Sequence, residues 1–537
     1  MNKELNICLL CRDFNKLADW EYRLFNEILN HHSIKIKKIY QKKKSYKHIS
    51  FNDFLFKIFI RIEHIHTKLP SVNNKIRFDV IRKLKKIPLE YVDLRSTKFY
   101  DYFDEKLSNK IKNEKYDLIL RHDFNIIKGE ILNSTKFGIW SFHHGDTSKY
   151  LGGPSGFWEI INNEPVTGVT LIKLNEMLDK GDIIDKGFYS TKKNFLINNY
   201  FIMDKSFKIL IKNINILVSK RNISFTKQDS ISNKIYKSPS LINLFKYYKI
   251  FLFQILKKLK NYLLKKFNKH NNIWTIFNSD ITKIDINSNK EFKPNKNEFW
   301  ADPFYFNYLK KDYIFFERYN LNKKKGVISS GELINNKIIN LKDIVVRKHH
   351  LSYPQIFNYK NKTFMTFESW QANKCELLQL VSFPNEWKNY NNFLKGVNSA
   401  DPTFYIDKKK NLWLFVNISK DLLNDHDSEL YIYLVKDNFK KFISHLKNPV
   451  ITDSRYARSA GSIFNYKGKI IRPSQINIHD SYGYGLNFQE IKKLSLNEYI
   501  EVNYKRFFYG KKSIYNGIHH VSKSKTSFYF DRRYQYQ

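Results

Sequence analysis

Cysteine is almost missing from this sequence: three occur in 537 residues, Cys8, Cys11 and Cys375. So few cannot build a disulfide framework. With no apolar signal segment after Met1, a reducing cytoplasm is the expected setting. Cys8 and Cys11 form a Cys-x-x-Cys by count, yet Cys8 sits inside the apolar run 7–10, where a buried strand thiol is the plainer reading than a redox pair. No run of 18 apolar residues occurs, so no membrane-spanning helix is expected. Acidic residues are scarce too: 51 Asp and Glu stand against 93 Lys and Arg, a formal charge of +42. The basic residues are mostly lysines spread among Asn and Ile along the whole length, a compositional bias more than a designed basic face, so nucleic acid is not an expected partner. The charge does favour anionic ligands such as nucleotide sugars or polyglutamylated cofactors, and acidic membrane surfaces. Glycine is missing where a phosphate loop would need it. The turn after the first apolar strand reads Cys11-Arg12-Asp13-Phe14, which speaks against NAD or ATP there.

What is present argues for a globular, multidomain chain. Hydrophobic residues make up 42% and aromatics 16%, too much for disorder, and the length suits two or three cores. Residues 5–10, 34–40, 116–120 and 137–142 read as strands, with an amphipathic helix over 19–29. Strands alternating with helices imply an α/β, doubly wound, mostly parallel sheet over residues 1–205, with a ligand site at the carboxyl ends of its strands. Residues 206–271 read as a helical, basic linker region. Its segment 241–268, rich in Leu, Phe, Ile and Lys without Pro or Gly, is a long helix that either packs on its own protein or makes peripheral contact with an anionic membrane surface. Over residues 272–537 short aromatic and β-branched runs signal an all-β domain. Related blocks start at residues 301 (Ala-Asp-Pro-Phe), 352 (Ser-Tyr-Pro-Gln), 400 (Ala-Asp-Pro-Thr), 459 (Ser-Ala-Gly-Ser) and 515 (Tyr-Asn-Gly-Ile), at intervals of 51, 48, 59 and 56 residues. Repeats of about 50 residues with several strands each are the pattern of propeller blades, and five fit.

The densest polar cluster of the first half, Ser141-Phe142-His143-His144-Gly145-Asp146, follows an apolar strand. Then come a Gly152-Gly153-Pro154 loop, whose glycines permit close approach of a ligand, a Thr167-Gly168-Val169-Thr170 strand and a turn over 178–184 containing Asp179 and Asp182. Asp182 reads as a turn-stabilising residue. In this order and spacing the stretch resembles the formyltransferase family typified by methionyl-tRNA and glycinamide ribonucleotide formyltransferases, closely over about 116–190. The resemblance implies His143 and Asp179 as the catalytic pair and 10-formyltetrahydrofolate as the formyl donor. His144, Asp146, Gly152, Gly153, Pro154 and Thr170 would then line the substrate, and no metal is required. Ser141 stands where the family carries Asn, a shorter donor at the same strand end. An amine attacking the formyl carbon gives a tetrahedral oxyanion that His143 would stabilise, while Asp179 orients the ring and assists proton removal.

The second half holds a rival site. Trp300-Ala301-Asp302-Pro303, Leu351-Ser352-Tyr353-Pro354, the run 454–461 and Arg472-Pro473-Ser474-Gln475 resemble the five-bladed propellers of family 43-type glycoside hydrolases. They are closer still to the propeller-like domain at the N-terminus of plant glucosamine inositolphosphorylceramide transferases. If the Asp-Pro blocks line the axis, Asp302, Glu368 and Asp401 meet there, as glycoside hydrolysis needs. Arg455, Arg458 and Arg472 point instead to recognition of an anionic glycan or phosphate. The expected activity is formyl transfer to an amino sugar, nucleotide-linked, in surface-glycan biosynthesis, with the propeller binding or processing the glycan. The alternative is a propeller glycosidase or glycosyl-transferring enzyme whose formyltransferase-like module is inactive.

Overall fold

The computed structural model describes residues 4–43, 50–97, 99–177, 179–220, 222–228, 234–266, 273–510 and 513–534. Leu178 in the expected turn, residues 267–268 of the expected helix and residue 272 of the expected β region lie outside the described residues. The chain divides into two compact units, Met1–Phe253 with Asp421–Leu423 and Gln254–Lys420 with Asn424–Gln537.

The first unit is organised by a strand that is apolar on both sides. In β1 (Leu5–Leu10), Leu5, Ile7 and Leu9 enter one cluster with Phe25, Leu118 and Leu120. Cys8 and Leu10 enter another with Ile119, Ile127 and Ile139. Alternate side chains point to opposite faces, so both faces of the sheet are covered, as a parallel sheet requires. Cys8 and Cys11 are free thiols, and burial pushes both pKa values up, so neither is a reactive thiolate.

Around β1 lie β2 (Ile34–Lys42), β3 (Leu89–Val92), β4 (Leu118–Arg121), β5 (Ile139–His143), β6 (Val166–Lys173) and β7 (Asp182–Ser190). Their order is β7-β6-β5-β4-β1-β2-β3. The strands from β5 to β3 pair in parallel, and β6 and β7 add an antiparallel edge. Helix Asp19–Leu29 follows β1 and buries Tyr22, Phe25 and Ile28, a three-residue spacing that keeps one face on the sheet. Asp182 begins β7 and so belongs to a strand, where the sequence suggested a turn. Asp117 stays out of β4 because its carboxylate accepts from the Asn6 backbone N–H at 2.8 Å.

Helix Leu241–Lys266 forms as expected, and the division between the units falls inside it. Leu244 and Tyr247 are buried with Phe56, Phe59 and Phe157. Ile242, Phe245, Leu252, Leu256, Leu259 and Leu263 are exposed. Among the described residues no helix is long and apolar enough to cross a membrane.

Among the described residues the second unit is antiparallel throughout and contains five sheets. The first draws on both ends of the unit, since Trp274–Asp280 pairs along its length with Ser527–Tyr534. The others occupy, in turn, residues 298–345, 352–393, 399–452 and 464–508. Each repeated block marks one sheet. In the blocks starting at 301, 352 and 400 the first strand bulges at the residue before proline, where the register shifts at Ala301/Phe304, Ser352/Gln355 and Ala400/Thr403. Asp302, Tyr353 and Asp401 occupy the left-handed region there, with φ of 51°, 54° and 49°, and Gly461 matches them in the fourth block at 125°. A bulge re-aims the side chain it carries. The block at 459 is not a strand; Ser459 makes an isolated bridge to Ser474 and the strand begins at Phe464.

Candidate functional site

The first constellation gathers at the carboxyl ends of β4 and β5. His143, 6% exposed, is the last residue of β5. Its Nδ1 lies 3.2 Å from Asp179 Oδ2, and its Nε2 lies 2.6 Å from the Tyr150 carbonyl oxygen. Both neighbours only accept, an arrangement that suits the protonated ring, in which both nitrogens donate. Burial pulls the His143 pKa down, and the hydrogen bond and charge of Asp179 more than offset it, leaving it above the usual histidine value. For Asp179, burial pushes upward and His143 pulls further down, so its carboxyl stays below the usual range. Asp179 sits at φ 51°, a conformation aspartate tolerates better than most residues, and also accepts from the Gly152 N–H at 3.3 Å.

The space beside His143 is small. A cavity of about 10 Å³ is lined by His143, His144, Gly153, Pro154, Ser155 and Glu159, among others. Glu159 is 3% exposed, and burial pushes its carboxyl up to about 7. His144 is kept neutral, its pKa pulled by burial down to about 3; its ring packs on Trp20 and Phe142.

Ser141 Oγ accepts from Arg121 Nη1 at 2.8 Å, and Arg121 Nε donates to the Phe124 carbonyl at 3.0 Å. The short side chain at the family's Asn position is thus backed by a guanidinium. Sequence reasoning missed both Arg121 and Glu159. Arg121 carried a signal, being the first polar residue after an apolar strand that ends at the same sheet edge. Glu159 carried none, because an acid in the first turn of a helix is ordinary.

Two of the expected lining residues, Asp146 and Thr170, are engaged by the scaffold. Asp146 pairs with Lys186 Nζ at 2.9 Å and caps the Ser148 N–H at 3.1 Å. Thr170, fully buried, donates to the Gly145 carbonyl at 2.9 Å. Gly152, at φ 81°, would set a Cβ 2.4 Å from the Tyr236 carbonyl oxygen, so its bareness admits the strand partner Tyr236, and it also lines the small cavity beside His143. Gly168 of the Thr-Gly-Val-Thr strand likewise lets the Asp146 backbone approach to 2.7 Å of its missing Cβ.

The second constellation surrounds a cavity of about 640 Å³ lined by Asp302, Glu317, Glu368, Arg458 and His519 together with aromatic rings. Arg458 gathers Glu368 and Asp401, and Asp302 lines the same cavity beside His519. Arg458 Nε donates to Asp401 at 2.7 Å, its Nη1 to Asp427 at 3.0 Å and its Nη2 to Glu368 at 3.3 Å. Arg458 is therefore committed to carboxylates and is not the free anion receptor that the sequence suggested. Arg455 grips Asp453, with contacts of 2.6–3.1 Å, and buried Arg472 grips Glu501 at 2.7 and 2.8 Å. Neither is in the cavity's lining; Arg455 closes its own loop on Asp453, and Arg472 ties its strand to the Tyr456 carbonyl. His519 bridges Asp302, at 3.3 Å, and Asp531, at 2.9 Å. Burial lowers its pKa and the Asp531 charge raises it further, to about 10. Asp302, His519 and Asp531 lie close enough to hold a metal, but each ring nitrogen already faces a carboxylate. Asp531 also accepts from the backbone N–H groups of Asp302, His519 and His520 at 3.0–3.1 Å. The trio reads as an ion triad, in which His519 Nδ1 faces Asp531 at ion-pair distance but without hydrogen-bond geometry.

A family model described as "Glucosamine inositolphosphorylceramide transferase 1, N-terminal" matches residues 251–525, more than half of the chain. The chain belongs to that family. Glucosamine inositolphosphorylceramide transferase 1 of Arabidopsis thaliana is 29% identical over 210 residues, which cover 38% of this chain and 27% of that protein. The chain thus spans about a quarter of the plant relative's length. Methionyl-tRNA formyltransferase of Prochlorococcus marinus (strain MIT 9312) is 25% identical over 195 residues, covering 33% of this chain and 58% of the relative. Among solved structures, an N-formyltransferase from Helicobacter canadensis in complex with folinic acid and dTDP-3-aminofucose aligns at 15% identity and a TM-score of 0.29, over 55% of this chain and 94% of that one. The first unit is formyltransferase-like and the second carries the match to the family domain.

Proposed function

We propose that the first unit transfers a formyl group from 10-formyltetrahydrofolate to the amine of an amino sugar, nucleotide-linked, in the assembly of a surface glycan. The second unit, read as a five-bladed propeller from its five sheets and its joined ends, binds or processes the related glycan. The observation that carries this reading is the Asp179–His143 pair at the end of β5, in an arrangement that suits a doubly donating imidazolium. The amine nitrogen bonds to the formyl carbon and the bond from that carbon to the folate N10 breaks. His143 Nε2–H stabilises the intervening oxyanion. The proton lost by the amine ends on N10. Asp179, with its depressed carboxyl, suits orientation of the ring. Glu159, titrating at about 7 in the same cavity, has the better pKa for passing the proton. The donors fit the reaction once the Tyr150 carbonyl, 2.6 Å from His143 Nε2, gives way to the oxyanion.

One observation favours a second reading. A cavity of about 640 Å³ lies in the second unit, and burial, with Asp401, pushes the Glu368 carboxyl well above the usual range, as a general acid in glycoside cleavage requires. Single substitutions separate the two. His143→Ala abolishes activity under the first reading and leaves it intact under the second, whereas Asp302→Asn does the reverse.

A further inference from the structure

We infer that the 640 Å³ cavity of the second unit selects a sugar carrying a protonated amino group. This rests on reading the cavity as a glycan site and is independent of formyl transfer at His143.

Size and walls fit a saccharide. The volume is that of a small-molecule site, enough for one or two sugar rings and far more than an ion needs. Trp274, Phe299, Tyr319, Trp370 and Tyr482 line it. Phe299 and Tyr319 are stacked with centroids 4.5 Å apart, and Trp370 is 36% exposed. Such rings offer apolar faces for the C–H side of a pyranose and negative π faces for an ammonium group.

The charge is unbalanced. Asp302, Glu317 and Glu368 line the cavity, and Asp401, Asp427 and Asp531 stand behind Arg458 and His519. Arg458 and His519, the cations named in its lining, are already held by these carboxylates, and the Arg533 guanidinium lies 5.2 Å from the Trp274 ring centroid. Glu317 is the unmet group. It is 6% exposed, and among the described residues its carboxylate has no hydrogen bond; His350 Nε2 is its ion-pair neighbour at 3.5 Å. His350 Nδ1 accepts from the Gly326 N–H at 2.9 Å, and burial lowers the His350 pKa, so that ring supplies no charge. Burial, with Asp302 next, pushes the Glu317 carboxyl well above its usual range, as expected where one positive charge is lacking. An entering ammonium supplies it. N-formylation of the same amine removes that charge, so the cavity distinguishes an amino sugar from its amide. Anionic glycans are opposed by the same field.

Calorimetric titration of the full chain with glucosamine, N-formylglucosamine and glucose tests this. Glucosamine is expected to bind about tenfold more tightly than either neutral sugar, a difference of about 1.4 kcal/mol. Glu317→Gln should erase the preference without unfolding the protein, Trp370→Ala should weaken all three sugars alike, and His143→Ala should change none. Equal affinity for the three sugars, no heat from glucosamine, or a preference that survives Glu317→Gln would overturn the inference.

Discussion

His143 Nε2 donates to the carbonyl oxygen of Tyr150 at 2.6 Å, so the nitrogen that would face a developing oxyanion is capped by the protein's own backbone. Gly145 controls the room around it, because a Cβ there would lie 2.8 Å from His143 Nε2 and 3.3 Å from the Tyr150 carbonyl. Gly145→Ala should therefore displace the ring and lower formyl transfer at least tenfold, a barrier increase of about 1.4 kcal/mol, while the fold persists. Unchanged turnover in that variant would show that Nε2 is not used.

The pH profile should be bell-shaped. Glu159 must be ionised to accept a proton, so the rate rises as pH passes about 7. His143 must stay protonated, so the rate falls as pH rises through its elevated pKa. Glu159→Gln should remove the acidic limb and move the alkaline limb to lower pH, since the Glu159 charge is among those that hold the imidazolium. Steady-state rates from pH 5 to 10 check both limbs.

Arg121 bonds Ser141 and the Phe124 carbonyl at once, which requires a planar fork. Arg121→Lys keeps the charge and loses the fork. A roughly tenfold fall in kcat, the size of one lost hydrogen bond, is expected, with the folate KM little changed. A KM effect alone would make Arg121 a binding residue.

The second unit should lose stability as pH rises. His519 is raised from about 6.5 to about 10, burial working against the Asp531 charge, so its contribution is complete below about pH 6.5 and disappears by about pH 10. The Glu317 and Glu368 carboxyls are also raised, first by burial, and act in the same direction. Glu317→Gln stays neutral, so its melting midpoint at pH 9 should exceed that of the wild type by about 2 °C, the shift given by about 1 kcal/mol in a domain slightly larger than about 250 residues. Differential scanning calorimetry across pH 6–10 decides it, and a flat profile contradicts the assignment of His519 as a cation.

Much of this was legible in the sequence because it depends on periodicity and on backbone-demanding residues. The apolar run of residues 5–10 placed β1, and the Asp-Pro and Tyr-Pro blocks located the bulged strands. Contacts between distant segments were not legible. That Gly152 yields to Tyr236, that Asp146 turns to Lys186 and that Arg472 is consumed by Glu501 depend on pairings without a local signature. The sequence offers polar residues at strand ends; only the packing separates those that hold a turn from those that face a cavity.

The most direct measurement is tetrahydrofolate release from 10-formyltetrahydrofolate by the purified full chain, against UDP-, dTDP- and GDP-linked amino sugars. The account predicts release that depends on one of these acceptors and falls by at least 10² in His143→Ala, the scale of a lost oxyanion donor. Absence of folate binding, or release that persists in His143→Ala, would contradict it.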